Sequence, residues 1–68
     1  MNLDDCEWAI DTLRREEDIL RELKRQAQDR DDKEAAAMFR LLVGEIFGVR
    51  QLLETERRVL RQLKGRIP

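Results

Sequence analysis

The sequence predicts an all-α protein, an antiparallel two-helix hairpin that assembles as a homodimeric four-helix bundle. Three observations carry this. Charged residues make up 43% of the chain while the net charge is only −1, a mixture that suits long solvated helices better than an acidic disordered tail. Three glycines, one terminal proline, no tyrosine and few β-branched residues leave little material for turns or strands. Apolar residues recur at alternating steps of three and four along two long stretches, the signature of left-handed supercoiling.

The first helix is expected over about residues 4–28. Asp4 can cap it, with Glu7 three residues on completing a capping box, and Leu3 and Trp8 then stand at the two positions of a hydrophobic staple. "QDRDDKE", residues 28–34, is the break, with the turn itself at about 29–31. Asp31 followed by Glu34 repeats the capping-box pattern, and Asp32 and Glu34 suit the positive end of a new helix dipole. A single helix running through this segment is the alternative, since no glycine or proline interrupts it. The second helix is expected over about 32–64, roughly 50 Å long at 1.5 Å per residue. Gly65 stands at its C′ position and Pro68 closes the chain.

The expected seams follow from the spacing. In helix 1 they are Cys6, Ala9, Leu13, Glu16, Leu20, Leu23 and Ala27. In helix 2 they are Phe39, Leu42, Ile46, Val49, Leu53, Glu56, Leu60 and Leu63. A glutamate interrupts each, and one polar seam residue can fix register at some cost in stability. Met38, Leu41, Leu52 and Val59 lie beside the second seam, Val43 and Phe47 point elsewhere, and Trp8 and Ile19 fall off the first. A lone hairpin leaves these in water, and large exposed apolar patches mark interfaces. A second copy would cover them in a four-helix bundle.

Size and composition agree. Sixty-eight residues form one small domain with a marginal core, and such scaffolds need disulfides, a metal or oligomerisation. Cys6 is the only cysteine and there is no histidine, so no intrachain disulfide forms and the commonest metal ligand and general base are missing. Cys6 reads as a small buried hydrophobe. Residues 1–34 carry twelve acids and seven bases, net −5; residues 35–68 carry three acids and seven bases, net +4. Antiparallel pairing sets the acidic beginning beside the basic end, although each exposed pair contributes only about 0–1 kcal/mol.

The start, "MNLDDCEWAID", has no apolar leader segment. Arg40, Glu45 and Arg50 interrupt the most apolar run, which never reaches the roughly 20 apolar residues of a spanning helix. The expectation is a cytoplasmic protein without membrane contact.

That apolar run, "MFRLLVGEIFGVRQLL", holds Gly44 and Gly48. An interior glycine costs a helix about 1 kcal/mol relative to alanine. Two of them at i and i+4 form a shallow groove for another helix; a kink, ligand clearance or chance are the alternatives. The expected oligomer interface is Leu41, Gly44, Gly48, Leu52 and Val59. Trp8, Ile19, Val43 and Phe47 are the candidate contacts for another protein, since aromatic anchors dominate interfaces. Glu45 falls level with Glu16 and Glu17, and clustered carboxylates in a bundle can hold metal. Without histidine these are weak metal candidates, and pairing with Arg14, Arg15, Arg40 or Arg50 at the bundle edge is the plainer role. Arg57, Arg58, Arg61 and Lys64 gather charge at one helical end, a candidate nucleic-acid contact because the guanidinium fork suits phosphate. No nucleophile–base pair or phosphate loop is present, so neither an enzyme nor a cofactor is expected. The function expected is protein–protein interaction or scaffolding, with a homo-oligomer, preferably a dimer, as its form. Nucleic-acid binding or regulation is the alternative, and a carboxylate metal bundle a further one.

Overall fold

The computed structural model describes the backbone of residues 1–66 and the side chains of residues 1–65. It is a hairpin of two helices, α1 (Leu3–Asp29) and α2 (Lys33–Arg66), packed against each other. Its Cα extents are 58 × 14 × 13 Å and its radius of gyration is 15.9 Å. A compact domain of this length has a radius near 11 Å, so the molecule is a two-helix rod.

Both helix starts are capped by residues other than those expected. Asn2 caps α1: its Oδ1 accepts the Asp5 N–H at 2.8 Å, and Asp4 and Asp5 occupy the first turn, where negative charge is favoured. Asparagine caps as well as aspartate does, and starting at Asn2 rather than Asp4 adds half a turn and places both aspartates at the dipole. The staple positions move accordingly, so Leu3 and Trp8 do not form it. At α2, Asp32 rather than Asp31 is the cap, accepting the Ala35 N–H at 3.1 Å. Asp31 is needed for the turn. Its φ of 58° is the left-handed region that aspartate enters more readily than most residues. That conformation lets the Asp31 N–H reach Gln28 O at 3.0 Å and the Asp32 N–H reach Ala27 O at 2.8 Å, the paired bonds of a Schellman ending. At the far end α2 continues through Gly65 to Arg66, so Gly65 lies inside the helix. Pro68 is outside the described residues.

The contact stripe is shifted by one residue at every second seam position. On α1 it runs Leu3, Cys6, Ile10, Leu13, Glu17, Leu20, Lys24 and Ala27; on α2 it runs Ala36, Phe39, Val43, Ile46, Arg50, Leu53, Arg57 and Leu60. All of these are buried or half-buried. Ile10, Glu17 and Lys24 thus replace Ala9, Glu16 and Leu23, and Val43, Arg50 and Arg57 replace Leu42, Val49 and Glu56. The reason is an ion pair. Arg50 Nε donates to Glu17 Oε2 at 2.9 Å across the helices, which satisfies two charges in the seam and turns Leu42 and Val49 outward. Among the described residues, Cys6, Ile10 and Ala27 are the buried apolar ones. The Cys6 thiol donates to the Leu53 carbonyl of α2 at 3.2 Å.

Candidate interaction surface

The two long sides of the hairpin differ in chemistry. On one side charged residues clamp the helices together. Arg14 Nη2 donates to Glu54 Oε1 at 2.9 Å, and Arg61 Nη2 donates to Glu7 Oε1 at 2.8 Å. Arg50 Nη1 also reaches Glu54 Oε1 at 2.9 Å, and Arg21 binds the remaining oxygen of Glu17 at 2.6 Å. A continuous chain results, Arg21–Glu17–Arg50–Glu54–Arg14. Glu17 is 4% exposed, yet both of its oxygens are occupied. The hydrogen bond from Arg14, with a further one from Arg50, holds the Glu54 carboxyl below its ordinary pKa against the opposing effect of burial. The hydrogen bond that Arg50 donates to Glu17 raises the Arg50 pKa against burial, with the bond to Glu54 adding to the effect. Arg50 also lies 5.1 Å from the Phe47 ring centroid, so Phe47 belongs to this charged side.

The opposite side is apolar and uncovered. Helical rotation is about 100° per residue. On that basis Met38, Leu42, Val49, Leu52, Val59 and Leu63 lie roughly 110° round α2 from its contact stripe, in the sense away from Glu54 and Arg61. All six are exposed, Leu52 at 73%, and Leu41 beside them is 71% exposed. Glu45 and Glu56, also exposed, complete a second stripe with the same alternating spacing. Ile19 and Leu23 lie on the same side of α1, among Thr12 and Glu16. Trp8, 69% exposed, is about half a turn round from the α1 stripe and points away from α2.

Of the expected interface residues, Leu41, Gly44, Gly48, Leu52 and Val59 are all on the surface. A Cβ added at either Gly44 or Gly48 would meet nothing within 4 Å, so packing inside the hairpin does not require glycine at either place. Trp8, Ile19 and Phe47 are exposed, but on three different aspects of the rod. Val43 is half-buried on the contact stripe facing α1. The three glutamates do not converge: Glu17 is held by arginines while Glu16 and Glu45 are in solvent. Among the described residues no group of three or more cysteine, aspartate or glutamate side chains could hold a metal ion.

Arg57, Arg58 and Arg61 line an open groove of about 510 Å³, joined by Arg14 from α1 and by Glu54 and Gln62; Lys64 is exposed beyond it. Sequence reasoning passed over Arg14 here and Glu54 in the clamp. Equal spacing from the turn would not have paired them: Glu7 and Arg61, Arg14 and Glu54, and Glu17 and Arg50 stand five or six residues out of register about residue 31, an offset that long helical side chains leaning toward their own N-termini bridge.

Fold and surface together define a helical hairpin with one clamped polar side and one uncovered apolar side. No family model, no curated protein and no solved structure matches the chain. Among the described residues no helix is long and apolar enough to cross a membrane.

Proposed function

We propose that this chain is a small protein-interaction module that works as a homodimeric four-helix bundle, presenting its remaining surface to another protein as an adaptor or scaffold. The supporting observation is the row of exposed apolar residues along one side of α2, on a rod whose total surface exceeds that of a compact chain. The hairpin exposes 5364 Å², whereas a compact monomer of 8.1 kDa exposes about 4,500 Å². The surplus of about 900 Å² matches the roughly 800 Å² that each partner buries in a standard interface. Sedimentation equilibrium combined with thermal unfolding tests this reading. Twice the chain mass is expected, with a thermal midpoint that rises with protein concentration, because binding to the folded state alone stabilises it. A monomer mass and a fixed midpoint would refute it. Trp8 and Phe47, which lie off the uncovered apolar side, are the aromatic anchors left for a different protein.

A second reading is favoured by the arginine groove. Arg57 and Arg58, beside Arg14 and Arg61 that are paired with Glu54 and Glu7, line one open site, and the guanidinium fork suits the phosphate backbone of a nucleic acid. Affinity would then fall steeply with salt and be lost on joint substitution of Arg57, Arg58 and Arg61 by alanine. Salt-independent or absent binding would remove it.

A further inference from the structure

We infer that the second copy packs its α2 antiparallel on α2 of the first, about a two-fold axis beside residues 50 and 51. This rests on the dimer proposed above and adds which helices meet and in which direction. The uncovered stripe of α2 runs from Met38 to Leu63 in steps of four, three, four, three, four, three and four, the same in both directions. Antiparallel pairing therefore sets Met38 against the partner's Leu63, Leu42 against the partner's Val59, and Val49 against the partner's Leu52. Every one of these six is exposed in the hairpin, so the pairing covers the stripe along its whole length.

The competing arrangements use the surface less well. Laying α2 on the partner's α1 would press this stripe onto a side where Thr12 and Glu16 precede Ile19 and Leu23. Parallel α2–α2 pairing would stack the basic half of the helix, with Arg50, Arg57, Arg58, Arg61 and Lys64, on its own copy. Antiparallel pairing sets that half beside residues 33–48, where Lys33 and Arg40 balance Glu34 and Glu45. One contact, repeated by the two-fold axis, is unfavourable: Glu45 faces the partner's Glu56, and like charges at such spacing repel.

That contact supplies the test. Glu56→Lys turns two repulsive layers into attractive ones in the antiparallel dimer, and the dissociation constant should fall on the order of tenfold. In a parallel dimer position 56 would meet itself, and the same change would exchange one repulsion for another with no gain. A second measurement mixes Met38→Cys chains with Leu63→Cys chains and oxidises them; Cys6 is fully buried and stays in place. A covalent dimer containing one chain of each kind, with neither kind cross-linking alone, is the expected result. Cross-linking of Met38→Cys chains to one another, or a wild-type dimer with no cross-link in the mixture, overturns this arrangement while leaving the dimer standing. A monomer in sedimentation overturns the dimer itself.

Discussion

At the scale of single residues, the turn shows how two neighbouring aspartates divide two tasks. Asp31 takes the left-handed conformation that ends α1, and Asp32 takes the cap that begins α2. Replacing a capping aspartate by alanine costs about 1 kcal/mol, and in a domain this small such a loss lowers the midpoint by about 4–8 °C. Asp32→Ala should show that drop in a thermal melt at fixed protein concentration, whereas Asp31→Ala would disturb the chain reversal instead of the cap. A melt of Asp32→Ala that overlays the wild type would mean that water serves the freed N–H equally well. The capping pattern at the turn was legible from residue type; which aspartate did what was not, because both can cap and only the backbone path says which one must turn.

At the scale of the helices, the interhelical contact combines an apolar stripe with a charge chain. Glu54 is central to that chain because its Oε1 accepts from Arg14 and Arg50 together. A carboxyl whose pKa is depressed in the folded state contributes stability that is fully present above its unfolded value, near 4.3. That contribution is lost as pH falls through the lower folded value. Between about pH 6 and about pH 3 the wild-type midpoint should therefore fall more steeply than that of Glu54→Gln, which has no carboxyl to titrate. Parallel curves for the two proteins would show that the clamp adds no pH-dependent stability. The stripe was half legible. Cys6, Leu13, Leu20 and Ala27 on α1, and Phe39, Ile46, Leu53 and Leu60 on α2, follow from spacing alone. Of the alternate positions, Lys24 and Arg50 took places that the more apolar Leu23 and Val49 were expected to fill, and Glu17 and Arg57 took those of Glu16 and Glu56. Hydrophobic spacing ranks positions by greasiness, and it misplaces a seam that joins opposite charges from two helices.

At the scale of the whole molecule, the rod has almost no interior. Ordering a backbone costs about 1–2 kcal/mol per residue, and the three buried apolar side chains among the described residues are little against that. The concentration-dependent midpoint expected of the dimer follows from this imbalance, since the surface that would offset the ordering cost lies outside the hairpin. The glycine pair lies off the uncovered stripe of α2. Gly44 and Gly48 stand on the back of α2 with open space around them, so any packing reason for them lies beyond the single chain.

The sequence by itself determined the helices, the turn between them and the excess of apolar spacing, because these depend on local propensity, capping chemistry and periodicity along one chain. Only the tertiary structure decided which stripe each helix spends on the other. That choice depends on groups far apart in sequence, Glu17 with Arg50 and Glu54 with Arg14, meeting at hydrogen-bond distance. Once those charges claim one side of the hairpin, Leu42, Val49 and Leu52 are left together on the other.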